Sequence, residues 1–290
     1  MDYFNRVQRA VDYIEQNLDK EIGITDIASK AFFSPFHFQR LFQAISGFSV
    51  QAYIRKRRMS EAAVLLKKTD KTILEIAVIS QYGSQEAFTR AFHGCFGITP
   101  SSYRKLDKCN IQYLKKMNFM NYKNHIHGDL FVEKPEIIQL GKKNIVGYTY
   151  KTNLNDEKYF DEIPRFYEDF GRNEYYKKIP ERLAPAFSYG ISCDYLDDGQ
   201  FSFVVGESVR QPIDERGSVL VNKEIPEGKY AQFKVNSSVE VTQNTWRYIY
   251  GAWLPNSNYE RREGPDFEIT DVCKSEYPHN MVTKILIPIK

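Results

Sequence analysis

Apolar residues recur at helical spacing from Tyr3 to Leu106, and each recurrence is bounded by a capping residue or a glycine. Tyr3, Val7, Ala10, Val11 and Ile14 form a stripe that ends before Gly23, which predicts a helix with one buried face. Thr25 is placed to cap a short helix carrying Ile27, Ala28 and Ala31. Ser34 followed by Pro35 predicts another helix start, since proline at the first helical position gives up an N–H that has no partner there. A long helix is predicted from about Ser49 to Lys68, and a short one after Thr72 with Ile73, Ile76 and Ala77 inward. Ser84 caps a sixth, and Thr99-Pro100 opens a seventh that ends near Leu106.

Beyond Lys108 the period changes. Residues 118–129, NFMNYKNHIHGD, carry no amphipathic period and read as a connection. Strand-like runs follow at 136–150, 186–193, 201–209, 219–225, 230–235, 267–272 and 281–289, with helical patterns near 156–171 and 239–253. Strands interrupted by two helices imply an α+β domain, and the order strand, helix, strands, repeated, suggests two duplicated halves. The expected chain is therefore multi-domain. An all-α domain spans 1–108, a linker 109–132 and an α+β domain 133–290.

The third and sixth helices repeat each other. Ser34 laid on Ser84 aligns Phe38 with Phe88, Arg40 with Arg90, Phe42 with Phe92, Gly47 with Gly97 and Tyr53 with Tyr103. In both, one face is apolar: Phe38, Leu41, Phe42 and Ile45, then Phe88, Ala91, Phe92 and Cys95. The other faces hold Phe36, Gln39, Arg40 and Gln43, and Gln85, Glu86, Thr89, Arg90 and His93. Each repeated helix follows a short helix and a tight turn, which makes a helix-turn-helix unit. Arg matches guanine, Gln matches adenine and an apolar side chain meets the thymine methyl, so this face has the chemistry to read bases in a major groove. Two such helices about one duplex turn (~34 Å) apart would let one chain read two half-sites.

Composition sharpens this picture. A chain of 290 residues exceeds the roughly 100–200 of one domain. Its net charge of +3 divides unevenly: residues 1–110 carry 16 Lys and Arg against 11 Asp and Glu, or +5, and the rest carry 24 against 26, or −2. The basic run Arg55-Lys56-Arg57-Arg58, on the helix that joins the two units, suits phosphate contacts through Arg55, Arg57 and Arg58. Cys95, Cys109, Cys193 and Cys273 are scattered without CxxC spacing and are expected to be reduced thiols. No apolar run approaches the ~18 residues of a membrane span and the first residues do not resemble a signal peptide. A cytoplasmic protein without membrane contact is expected. His125 and His127 with Asp129 are not read as a metal site, and no metal or cofactor is expected.

On these residues, the stretch from Ile24 to Arg104 resembles the tandem helix-turn-helix domain of AraC/XylS-type bacterial transcription regulators. Gly97, Pro100, Tyr103 and Arg104 supply its ending. The resemblance implies a regulator that binds double-stranded DNA, not an enzyme, with base contacts at Phe36, Gln39 and Arg40 in the first unit and Gln85, Glu86, Thr89 and Arg90 in the second. RNA polymerase is a further expected partner.

Of the 42 aromatic residues, 27 lie beyond residue 110. The stretches IPEGKYAQFKV (225–235) and WLPNSNYERREGPDFEI (253–269), with the closing KILIPIK, resemble the GyrI-like effector-binding domain. In that family two related halves enclose an aromatic cleft, and a glutamate matching Glu268 faces the ligand. A carboxylate within the apolar DFEIT needs a compensating charge if it is buried. A small cationic or aromatic effector flanked by Trp253, Tyr150, Phe166 or Tyr189 would supply it. The expected consequence of binding is a change in how the C-terminal domain is oriented, favouring one DNA-bound or polymerase-contacting state. Two alternatives for this domain remain open: a small hydrolase with Glu268 as general base and a tyrosine such as Tyr150 nearby, and a protein-interaction module.

Overall fold

The computed structural model describes residues 3–106, 111–124, 134–154, 158–196 and 199–290. They form two compact units that divide between Lys123 and Asn124. The histidines and aspartate of the 125–129 segment lie outside the described residues, as does Cys109.

The first unit contains seven α-helices: α1 (Tyr3–Gln16), α2 (Ile24–Lys30), α3 (Pro35–Ser46), α4 (Val50–Lys68), α5 (Ile73–Ile79), α6 (Gln85–Phe96) and α7 (Pro100–Lys105). Ser34, Ser49, Thr72, Ser84 and Thr99 each accept a backbone N–H at the start of their helix. Each cap satisfies a donor that the helix itself leaves without a partner. One expected cap is different: Gly23 takes that place for α2, and Thr25 falls inside its first turn. Gly47 and Gly97 end the two repeated helices at φ 74° and 70°, where a side chain would strain the backbone.

The sequence repeat becomes a repeat in packing. Phe38 and Phe42 lie 5.7 Å apart and Phe42 and Tyr53 5.5 Å. Their counterparts Phe88 and Phe92 lie 5.8 Å apart, and Phe92 and Tyr103 5.7 Å. All of these residues are buried, and α4 feeds both cores, with Tyr53 and Ile54 at one end and Met59, Ala62, Ala63 and Leu66 toward the other.

The chain from 111 to 124, expected within a linker, belongs to this unit. Its backbone is held by side chains of the helices: Leu114 N–H donates to Ser60 Oγ, Met117 N–H to Tyr53 Oη and Phe119 N–H to Gln8 Oε1. Phe119 is fully buried, 5.3 Å from the Phe42 ring. Without an amphipathic period this strap is anchored one contact at a time, and for that reason its sequence resembles a connection.

The second unit is an antiparallel sheet of eight strands: β1 (Glu136–Leu140), β2 (Lys143–Asn153), β3 (Phe187–Cys193), β4 (Gln200–Val209), β5 (Val221–Ile225), β6 (Gly228–Ser237), β7 (Asp266–Asp271) and β8 (Met281–Pro288). Their spatial order is β1-β6-β8-β7-β3-β4-β2-β5. The order reads as two strand-helix-strand-strand halves. β2, α8 (Tyr159–Arg172), β3 and β4 form one, and β6, α9 (Val239–Tyr248), β7 and β8 the other. They join where β3 pairs with β7. The strand before each half crosses to the opposite edge, β1 beside β6 and β5 beside β2. The single run expected at 136–150 is thus two strands, broken at Gly141-Lys142, that go to opposite ends of the sheet.

Candidate functional site

In the first unit, α6 presents the expected face. Phe88 and Phe92 anchor it, while Gln85, Glu86, Arg90 and His93 are exposed and Thr89 is half-buried. Glu86 sits in the first turn, where backbone hydrogen bonding and then the Ser84 side chain lower its pKa. A charged carboxylate is favoured at that end of a helix.

α3 differs from its copy. Phe36, Gln39 and Gln43 are 8%, 6% and 8% exposed, against the open face expected for a reading helix. The Gln39 amide nitrogen is buried without a hydrogen-bond partner among the described residues. Arg40, half-buried, lies back over the Phe36 ring at 5.5 Å, the i,i+4 neighbour that a helix provides. The two copies share their inward positions and diverge in how far the outward ones are covered.

The basic run also splits. Arg55 and Lys56 are exposed. Arg57 is 6% exposed and makes a fork to Glu15, 2.8 Å from Nε to Oε1 and 2.7 Å from Nη2 to Oε2. Its Nη2 also reaches Glu61 at 2.7 Å, and Nη1 donates to the Leu114 carbonyl at 2.6 Å. Burial acts to lower its pKa, but the hydrogen bonds to Glu15 and Glu61 win and raise it. Arg58 donates to the carbonyls of Leu18 and Lys20. Both were expected on phosphate and both are instead structural. Successive helical residues turn by about 100°, so four in a row cannot share one face.

In the second unit, strand register decides which side chains meet. Val205 pairs with Gly190, Gly190 with Glu268, Glu268 with Ile285 and Ile285 with Phe233, so these positions share one face of the sheet. Both helices lie on that face: Val205 packs in one cluster with Phe170 of α8, and Trp246 of α9 donates its Nε1–H to Glu268 Oε2 at 3.3 Å. Glu268 is 9% exposed, in the position expected to face a ligand. Tyr167 of α8 stands directly over Gly190, where a Cβ would collide with its hydroxyl. Burial first, then the neighbouring Glu268 charge, push the Tyr167 phenol well above its ordinary pKa.

Among the aromatic residues expected to line the cleft, Tyr150 and Phe166 are on this face, 5.4 Å apart, with Tyr150 paired to Phe203 of β4. Trp253 stacks on Tyr259 and meets Phe233 edge-on, two strands away from Glu268. Tyr189 is on the wrong side. It precedes Gly190, so strand alternation sends it through the sheet into the opposite core with Ile191, Phe267 and Leu286. The residues that touch or overhang Glu268, Trp246 and Tyr167, were not singled out by the sequence. Two helical aromatics give no signal of where their helix will be laid on a sheet.

A cavity of about 490 Å³ opens on the same face, next to Tyr167. Its lining includes Tyr167, Tyr176, Ser188, Glu207, Thr270 and Tyr277. Glu207 follows Val205 by two positions on β4 and shares its face; it is 3% exposed.

A tandem helix-turn-helix unit in front of a duplicated curled-sheet unit with a buried acidic floor defines a one-chain DNA-binding transcription regulator with an effector-binding domain. Residues 27–106 match the model of the helix-turn-helix domain family, and residues 136–289 match that of the integron-associated effector binding protein family. The second match covers more than half of the chain, which belongs to that family and carries an AraC-type reader in front of it. The right origin-binding protein of Escherichia coli (strain K12) is 28% identical over 304 residues, covering 100% of each chain. The transposon Tn10 TetD protein of Escherichia coli is 48% identical over 93 residues, 32% of this chain and 67% of that one. An integron cassette protein from Vibrio cholerae of known structure has 18% identity and a TM-score of 0.41, covering 56% of this chain and 100% of its own. Among the described residues no helix is long and apolar enough to cross a membrane, and no group of three or more His, Cys, Asp or Glu is arranged to hold a metal ion.

Proposed function

We propose that this regulator responds to an organic cation, taken on the helix-bearing face of the sheet around Glu268, and that it reads DNA through Gln85, Glu86, Thr89 and Arg90 of α6 together with Arg40 of α3. The observation that carries the effector reading is the placement of Glu268: a carboxylate nine-tenths buried between the Tyr167 and Trp246 side chains. Away from water its field is weakly screened, and aromatic faces nearby add cation–π attraction. Such a site favours a positive, partly aromatic guest over an anion or a sugar. Arg55 and the neighbouring Lys56 remain as phosphate contacts on α4.

Titrating the protein with a quaternary aromatic cation while following Trp246 fluorescence tests this directly. Saturable quenching is expected, and Glu268→Gln should weaken it by roughly 10-fold or more, the scale of one charge-assisted contact. Equal binding of the cation by the Gln variant would remove the basis of the proposal. A second reading has one observation in its favour, the Tyr167 phenol beside the Glu268 carboxylate, which together could activate a water. Analysing the recovered ligand after incubation separates the two: an unchanged compound is a bound effector and a hydrolysed one is a substrate.

A further inference from the structure

The cavity beside Tyr167 contains a carboxylate that neither the sequence patterns nor the matches to known families single out. Glu207 is almost fully buried, yet its charge is met loosely. Among the described residues its ion-pair partner is Arg182, whose Nη1 lies 3.4 Å from one carboxylate oxygen and 3.5 Å from the other. That arginine side chain is 27% exposed, with its guanidinium over the Tyr176 ring at 5.5 Å. Beside Glu207 along the cavity wall is Ser188, 4% exposed, whose hydroxyl has no hydrogen-bond partner among the described residues. The buried Tyr167 hydroxyl is on the same wall, beside Glu268. A third carboxylate on this face, Asp266, is by contrast fully committed, 2.9 Å from the buried Arg261 guanidinium.

A buried hydroxyl on a cavity wall with no protein partner has its hydrogen-bonding capacity to offer a guest. A buried carboxylate with a long, one-sided ion pair is only partly compensated, and burial indeed raises the Glu207 pKa despite Arg182. The cavity volume falls in the range of roughly 300–1,000 Å³ typical of sites for drug-sized molecules. Arg182 displays the chemistry that the site accepts: a cation with N–H donors, placed between a carboxylate and an aromatic ring.

We propose that this cavity is a second cation subsite of the effector domain, in which the primary ammonium of an aryl-alkyl amine replaces Arg182 on Glu207 and donates a further hydrogen bond to Ser188 Oγ. The proposal rests on the reading that the domain takes organic cations, and adds to it the head group and the residues that choose it. An ammonium carries three N–H donors and can serve the carboxylate and the hydroxyl at once. A trimethylammonium brings the same charge without donors and leaves Ser188 as it is. The exchange is one cation for another, so the charge of the site is conserved and Arg182 returns to water from an already part-exposed position. The aromatic body of the ligand is covered by Tyr176 and Tyr277.

Calorimetric titration of the full chain with 4-phenylbutylammonium and with its N,N,N-trimethyl counterpart tests this. The primary amine should bind roughly 10-fold more tightly, the scale of one hydrogen bond to a charged group. Ser188→Ala should abolish most of that preference. Glu207→Gln should weaken the amine by roughly 10-fold or more, and Arg182→Ala, which removes the resident competitor, should strengthen it. If Glu207→Gln does not fold, Ser188→Ala and Arg182→Ala decide alone: the same preference and the same affinity in both variants overturn the subsite. Loss of binding in Glu268→Gln with none in Glu207→Gln also overturns it while leaving the cation reading of the domain intact. Undiminished binding in both carboxylate variants overturns the two readings together.

Discussion

At the scale of single residues, the same chemistry serves opposite ends depending on what surrounds it. Arg57 and Arg90 are both arginines on helices of the reader. Arg90 is exposed on α6, and Arg57 is enclosed by Glu15, Glu61 and the Leu114 carbonyl. With side-chain exposures of 8% and 11% for Arg57 and Glu15, the pair is far from the surface regime in which ion pairs contribute little. Removing one member leaves the other buried and charged. Arg57→Ala should therefore lower the stability of the first unit by about 3–5 kcal/mol, seen as a reduced urea midpoint. Arg57→Met, which keeps the packing but not the charge, should be similarly damaging because Glu15 remains. A DNA affinity that fell while stability held would return Arg57 to the phosphate role expected from the sequence. The run of four basic residues showed how much charge was present on α4. It could not show which residues face inward, because that depends on where α1 and the 111–124 strap lie against the helix.

At the scale of elements, the helix repeat was legible to the residue. The capping serines, the closing glycines and the aromatic trios of both copies could be read from spacing alone, since all of them obey local rules. The outward faces follow no such rule. α6 carries two buried residues, Phe88 and Phe92, whereas α3 carries eight, among them Phe36, Gln39 and Gln43. Two helices with equivalent inward positions can thus differ in their availability to a duplex. Arg90→Ala should cost about 1–3 kcal/mol in specific DNA affinity and relax preference at one base pair, whereas Gln39→Ala should cost less, measured by fluorescence anisotropy at fixed salt. Losses of the same size for both would mean that Gln39 reaches the DNA as freely as Arg90. The sheet teaches the same lesson in its own period. Its strands were legible as apolar runs, but a strand has two faces, and only the pairing of Gly190 with Glu268 settles that Tyr189 faces away from the cleft. Glu207, within the stretch FVVGESV, was hidden for the same reason. An acid there reads equally well as solvent-facing or cleft-facing until β4 is set beside β3.

At the scale of the molecule, the chain divides where its sequence gives least warning. Composition and period both change near Lys108, yet the first unit continues to Lys123. The added segment contributes side chains as well as backbone: Phe119 is fully buried and Met117 is 8% exposed, while the Tyr113 hydroxyl is 2.5 Å from that of Tyr103. Burying one large apolar side chain is worth about 1.5–3 kcal/mol, and Phe119 and Met117 supply two. Ser60, Tyr53 and Gln8 accept hydrogen bonds from its N–H groups, and Arg57 Nη1 donates to the Leu114 carbonyl, so its backbone is tied to the helices as well. A reader ending at residue 106 should consequently unfold at a lower urea concentration than one ending at residue 124, by about 2–4 kcal/mol in extrapolated stability. The shorter form should also expose Phe42 and Tyr53 to a hydrophobic dye. Identical midpoints for the two lengths would show that the strap rests on a reader already complete without it. A large difference would mean that the 111–124 segment is itself part of the reader's core.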